Sequence, residues 1–120
     1  DRFSEEEFFA YMVEKEVRFP HIVYAQAALE SGNFTPTIFR ENNNLFGMRM
    51  PERRETTAVG INRKYAVYST WRSSVDDYLL FQQRYLRQYQ TEAGYLNYLD
   101  RNYCECEGYV NKLKSRYPNF

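Results

Sequence analysis

Ile22-Val23-Tyr24-Ala25-Gln26-Ala27-Ala28-Leu29-Glu30-Ser31-Gly32 is apolar at almost every position. A helix that is apolar nearly all round has no face to give to water, so this one belongs at the centre of the fold with other elements packed about it. Pro20 suits its first turn and Gly32 its end, which predicts a helix over residues 20–31. Its polar exceptions, Gln26 and Glu30, stand four residues apart and so share one face. A carboxylate at the end of a buried helix is a poor choice for folding. Burial and the negative end of the helix dipole both disfavour its charged form and push its pKa upward, as a general acid working near neutral pH requires. The Gln26–Glu30 stripe is therefore expected to line a cleft.

Outward from this helix, Ser4 with Glu7 three residues later forms a capping-box pattern. Phe8, Phe9, Met12, Val13 and Val17 continue it at helical spacing, predicting a first helix to about Arg18. Thr35-Pro36 opens a short helical turn leading to Asn42-Asn43-Asn44. Residues 52–68 lack helical period. They predict a β-hairpin, with Thr56-Thr57-Ala58-Val59 and Lys64-Tyr65-Ala66-Val67-Tyr68 around a turn near Gly60-Ile61-Asn62-Arg63. Helical pattern resumes from about Thr70 to Tyr89, and two shorter helices are expected over 92–102 and 107–117. The fold class is mainly α with one small hairpin, in one domain covering residues 1–120.

Composition narrows the function. The 120 residues carry 16 basic and 16 acidic side chains, so no sequence-wide field draws the chain to nucleic acid or an anionic membrane. No apolar stretch in these residues approaches the length of a membrane span or has the pattern of a signal peptide, and the abrupt start at Asp1-Arg2-Phe3-Ser4 leaves the compartment open. Cys104 and Cys106, separated by one residue, lack the ligand count for zinc and would close a strained ring, so two free thiols are expected. His21, the only histidine, has no cysteine partner in sequence reach. No metal cluster or phosphate-cradling glycine loop occurs, and no cofactor is implied. Aromatic residues make up 18% of the chain, and its 12 tyrosines combine a flat apolar face with a hydroxyl.

Three stretches taken together resemble one family. Ala25-Gln26-Ala27-Ala28-Leu29-Glu30-Ser31-Gly32-Asn33-Phe34, then Asn43-Asn44-Leu45-Phe46-Gly47, then Tyr65-Ala66-Val67-Tyr68-Ser69-Thr70-Trp71-Arg72-Ser73-Ser74-Val75 are similar in order and spacing to the bacterial glucosaminidase domain. That is glycoside hydrolase family 73, the mannosyl-glycoprotein endo-β-N-acetylglucosaminidase-like peptidoglycan hydrolases. A weaker echo follows at Tyr103 and at Gly108-Tyr109-Val110-Asn111-Lys112-Leu113. The resemblance implies a lysozyme-like α+β fold, with the cleft between a helical lobe and the hairpin lobe. It further implies action on peptidoglycan glycan strands and location in the cell envelope or outside the cell. A monomer is expected.

On this resemblance Glu30 is the expected general acid, protonating the glycosidic oxygen as the bond breaks. Gln26, Asn43, Asn44, Phe46, Tyr68 and Tyr109 are the candidate substrate-binding residues, with loop stabilisation and core packing as the competing roles for Asn43, Asn44 and Phe46. Trp71 is expected to pack where the hairpin returns to the helix. The second carboxylate is open: Glu55 is preferred because it adjoins Thr56-Thr57, and Glu52 is the alternative. Arg53 and Arg54 offer both a salt bridge instead, and the substrate's acetamido group can replace a protein nucleophile. The leading function is an endo-β-N-acetylglucosaminidase. Its rivals are a lytic transglycosylase working through Glu30 alone, and a non-catalytic glycan-binding module on the same scaffold.

Overall fold

Helix 20–30 is buried on two opposite sides, as its composition requires. In the computed structural model, which describes residues 3–35, 37–103 and 107–116, it is the second of six helices. These are α1 (Glu5–Glu14), α2 (Pro20–Glu30), α3 (Thr37–Asn42), α4 (Trp71–Tyr85), α5 (Glu92–Asn102) and α6 (Tyr109–Arg116). A two-stranded antiparallel hairpin, β1 (Gly60–Asn62) and β2 (Tyr65–Val67), lies between α3 and α4. Val23 and Ala27 of α2 pack with Phe8, Met12, Leu45, Phe46, Trp71 and Val75, while Ile22 and Ala25 pack with Leu86, Tyr95, Leu99, Tyr109 and Leu113. One helix therefore serves two cores. The chain is mainly α with a small hairpin lobe, the arrangement of a lysozyme-like α+β fold.

Local chemistry accounts for the helix ends. Ser4, Thr70 and Thr91 each accept a backbone N–H from the first turn of α1, α4 and α5. α1 stops at Glu14, short of the expected Arg18, because Glu16 takes the left-handed conformation at φ 60°. Val17 N–H then bonds Met12 O at 2.9 Å and Glu16 N–H bonds Val13 O at 3.1 Å. This is a Schellman end with glutamate where glycine is usual, so no sequence signal marked it. α2 closes the same way through Gly32, with Asn33 N–H on Ala28 O at 2.7 Å. α4 ends at Tyr85 rather than Tyr89. There the Arg18 guanidinium donates to the carbonyls of Leu86 and Tyr89, taking up acceptors a longer helix would have used internally.

The hairpin also departs from expectation. Its strands are 60–62 and 65–67, with Asn62 paired to Tyr65, so the turn is Arg63-Lys64 rather than Gly60–Arg63. Both turn residues have positive φ, 54° and 74°, as a tight hairpin turn demands, although neither is glycine or asparagine. Contacts outside the hairpin hold it: Asn62 Nδ2 donates to Asn42 Oδ1 at 2.9 Å, Asn42 Nδ2 to Asn62 O at 3.1 Å, and Arg63 pairs with Glu41 at 2.9 Å. Thr56–Val59 is an extended approach to the hairpin, with only Val59 reaching β2, through its N–H on Val67 O at 2.8 Å.

The approach is anchored by a buried charge. Asp77 of α4 accepts from Arg54 Nη1 at 2.6 Å and Nη2 at 3.2 Å, from Thr56 Oγ1 at 2.7 Å and from the Tyr68 hydroxyl at 2.5 Å. The Asp77 and Arg54 side chains are 0% and 5% exposed. Removing one partner of such a pair leaves a buried charge uncompensated, at a cost of about 3–5 kcal/mol. Asp77→Ala should accordingly lower the unfolding free energy by about 3–5 kcal/mol, read as a lower urea midpoint at unchanged slope by circular dichroism.

Candidate active site

Glu30 is the last residue of α2, and its surroundings come from three other segments. Asn44 builds the first. Its Nδ2 donates to Met48 O at 2.8 Å and Ala66 O at 2.9 Å, and its Oδ1 accepts from Phe46 N at 3.3 Å and Met48 N at 3.1 Å. The loop so formed brings Gly47 against the Glu30 carboxyl. A Cβ at residue 47 would lie 2.8 Å from Glu30 Oε1, and Gly47 has φ +64°. Glycine is thus required twice, for space and for conformation. Asn43, itself at φ 53°, donates to Tyr68 O at 3.0 Å, and Leu45 N–H bonds Ser74 Oγ at 3.1 Å. The segment after α5 adds Tyr103, whose hydroxyl donates to Phe46 O at 2.7 Å. From α6 come Tyr109, hydrogen-bonded to Glu30, and Lys112, whose charge acts on it.

The electrostatics follow from this enclosure. Glu30 is exposed by surface area, yet protein crowds its carboxyl, with Gly47 against one oxygen and Tyr109 hydrogen-bonded to it. Desolvation raises its pKa above the ordinary carboxylate value, opposed in part by the Tyr109 hydrogen bond and the Lys112 charge. Tyr109 is held neutral far into alkali, chiefly by burial and then by the Glu30 charge. The site therefore couples a carboxyl inclined to keep its proton with a phenol that keeps its own far into alkali.

The other candidate residues fall into two groups. Gln26, Asn44, Phe46, Tyr68 and Tyr109 are buried, and each polar one bonds to protein: Gln26 to Tyr78 and Tyr109, Asn44 within its loop, Tyr68 to Asp77. Phe46 packs on the Tyr78 ring at 4.5 Å between centroids. Asn43 is half-buried. Glu52 and Glu55 are exposed on the approach to the hairpin. Glu52 lines a groove of roughly 380 Å³ with Met48 and Arg49 on one side and Phe81 and Tyr85 of α4 on the other. Glu55 lies between Arg54 and Thr56, both tied to Asp77, and its carbonyl accepts from Arg54 Nη1 at 2.9 Å. Arg54 is thus spent on Asp77 rather than on the neighbouring glutamates. Trp71 packs edge-on against Phe3, Phe8 and Tyr11 in the helical core. His21 lies away from Glu30, against Phe9. Cys104 and Cys106 lie outside the described residues.

Sequence reasoning gave Asp77 no role, quoted Lys112 only within the echo after Gly108, and offered Arg54 to Glu52 and Glu55 rather than to Asp77. Lys112 follows Tyr109 by three positions, so once Tyr109 is placed at the site, α6 spacing puts Lys112 on the same face. Nothing local marked Asp77, one of two adjacent aspartates on α4.

A mainly helical fold with a hairpin lobe and a lone glutamate at the end of the central helix defines a lysozyme-like glycosidase scaffold. The sequence profile of the family described as mannosyl-glycoprotein endo-beta-N-acetylglucosaminidase, the glucosaminidase family, matches residues 7–120. The chain belongs to that family. Among curated proteins it is similar to "Protein bax" of Escherichia coli (strain K12), 41% identical over 58 residues, which is 48% of this chain and 21% of that protein. The aligned part is thus about a fifth of that relative's length. No solved structure gives a significant match. No helix among the described residues is long and apolar enough to cross a membrane, and no group of three or more His, Cys, Asp or Glu there could hold a metal ion.

Gly47→Ala should impair the site while sparing the fold. The left-handed conformation costs a non-glycine residue about 1–2 kcal/mol, and the new methyl displaces the Glu30 carboxyl. Activity on glycan should fall by about 10²-fold, the scale of a displaced catalytic group. Gly60→Ala, where a methyl meets nothing within 4 Å, is the control and should keep near-normal activity.

Proposed function

We propose that the domain is a peptidoglycan hydrolase of the endo-β-N-acetylglucosaminidase type, with Glu30 as general acid. The observation that carries this reading is the Glu30 carboxyl itself. It ends the central helix, faces Gly47 across van der Waals distance, has Tyr109 behind it, and has a raised pKa from desolvation. A carboxyl in such a setting keeps a proton at a pH where ordinary carboxylates have lost theirs, and can pass it to a leaving glycosidic oxygen. Family membership supports a glycan substrate and a site of action at the cell wall or outside the cell. The protein would work there as a monomer, without cofactor, on glycan strands.

A hairpin-lobe carboxylate is the proposed base. Glu55 is preferred: the bonds of Arg54 and Thr56 to Asp77 hold the backbone on both sides of it, and a firmly held base loses less on reaching its working geometry. Glu52, on the groove facing Phe81 and Tyr85, is the alternative. One observation favours a second reading. The charged neighbour acting on Glu30 is Lys112 rather than another carboxylate, which suits a lytic transglycosylase that runs on one glutamate.

Products separate these readings. Mass spectrometry of digested peptidoglycan should show reducing-end N-acetylglucosamine. Anhydro-muramyl ends would instead establish the transglycosylase, and intact strands the binding module. Glu30→Gln should lower the rate by at least about 10²–10⁴-fold with the fold at least as stable, because a costly desolvated charge is removed without leaving a cavity. More than a tenth of wild-type activity in a folded variant rejects Glu30 as the acid.

The pH profile and the second acid provide further checks. Protonation of Glu30 is needed for the first step, and its pKa is raised, so activity should fall as pH rises through a value above the ordinary ~4.3. A rate that keeps climbing into alkali excludes a carboxylic-acid donor. Glu55→Gln should cut kcat by orders of magnitude with little change in KM, and Glu52→Gln should be mild. Near-normal turnover in both removes the hairpin base altogether.

A further inference from the structure

Gln26, Tyr78, Tyr95 and Gln82 are buried polar side chains that the chemistry above does not use, and they form a single line ending at Glu30. Gln82 Oε1 accepts Arg18 N–H at 3.0 Å, and its Nε2 donates to Arg18 O at 2.8 Å. Those two contacts with one backbone residue fix which end of the amide is oxygen. The remaining Nε2 proton goes to the Tyr95 hydroxyl at 2.8 Å. The Tyr95 hydroxyl has two partners among the described residues, and since the Gln82 amide N–H can only donate, the Tyr95 proton goes to Tyr78 at 2.7 Å. Tyr78 then donates to Gln26 Oε1, which turns Gln26 Nε2 toward the Tyr109 hydroxyl at 3.4 Å. Tyr109 in turn hydrogen-bonds the Glu30 carboxyl, and because that bond lowers the Glu30 pKa and raises that of Tyr109, the phenol is its donor. Every donor in the line points the same way.

We propose that Gln82 is a positioning residue for Glu30: the orientation of its amide, fixed by Arg18, sets the direction of the whole chain, so that Tyr109 donates to the Glu30 carboxyl and does not accept from it. This rests on the reading of Glu30 as the acid. No proton travels along the line, since the two amides in it cannot relay one without changing tautomer. Its effect is on where the acid's own proton lies. With Tyr109 donating to one oxygen, protonated Glu30 carries its hydrogen on the side facing away from Tyr109, where a substrate oxygen can take it. In the reversed chain Gln26 would be turned over and Tyr109 would accept the Glu30 proton, holding it toward the protein. The other groups facing Glu30 do not supply this direction. Lys112 acts through charge, and the Tyr103 hydroxyl is committed to Phe46 O. Bonds at buried sites reinforce one another along such a line, so an end fixed far from Glu30 still governs it.

The test is titration of the Glu30 side-chain carboxyl by carbon NMR, which reads the group whether or not the protein is active. Tyr109→Phe removes a hydrogen bond to the charged form and should raise the Glu30 midpoint by about one pH unit. Gln82→Met and Tyr95→Phe leave Tyr109 in place but free the chain to reverse. Each should raise the midpoint by a smaller amount, a few tenths of a unit or more. In the Tyr109→Phe background neither change should add anything, because the route by which they act is gone. A structural role alone would lower stability without moving the midpoint, or move it equally in both backgrounds, and either result overturns the proposal. Tyr95→Phe, which loses only one oxygen, decides the matter should Gln82→Met not fold. An active Glu30→Gln variant would sink the acid assignment while leaving the titration result intact, so the two failures are distinguishable.

Discussion

The Asn44 side chain is the joint on which the site depends. One amide, 1% exposed, binds the carbonyls of Met48 and Ala66 and the N–H groups of Phe46 and Met48. It does three things together: it closes the loop carrying Gly47, ties that loop to β2, and pairs loop backbone groups outside any helix or sheet. Asn42 and Asn43, just before it, repeat the device, bonding the hairpin and Tyr68 O. A hairpin of three-residue strands is marginal alone in water. Here its backbone is paired as much by asparagine amides as by its own ladder, so the hairpin lobe is an extension of the helical one.

The fold was legible where the signal was local and repeated. The all-round apolar α2, the capping residue Ser4 and the terminating Gly32 could be read directly, because each states its reason within a few residues. The misread boundaries have a common cause. Glu16 ends α1, and Arg63-Lys64 make the hairpin turn, in left-handed conformations that favour glycine, yet none of the three is glycine. Their conformations are held by tertiary contact: Val17 buried beside Met12, Arg63 paired with Glu41, Asn62 locked to Asn42. Gly60 meanwhile attracted the turn assignment and lies in a strand.

The site was legible in its motif residues and opaque in its supports. Glu30 and the Asn43–Gly47 run stand out in sequence because they are polar or glycine where apolar packing would suffice. What holds them is spread along the chain: Asp77 against Arg54 and Thr56, Tyr103 against Phe46, Gln82 against Arg18 sixty-four positions away. Such pairs carry no spacing rule. Burial also reassigns several motif residues. Tyr68 and Gln26 suggest sugar contacts when seen as sequence, whereas their hydroxyl and amide are engaged inside the protein.

The packing of Trp71 has a practical consequence of another kind. It is the only tryptophan, 3% exposed, and set among Phe3, Phe8 and Tyr11 with the Arg72 guanidinium over its ring. Its emission should therefore be blue-shifted in the folded chain, with energy received from the surrounding tyrosines. Because it sits where α1 and α4 meet and shares a core with Leu45 and Phe46, it reports on the packing of the helical core. The protein thus carries a built-in optical gauge of folding.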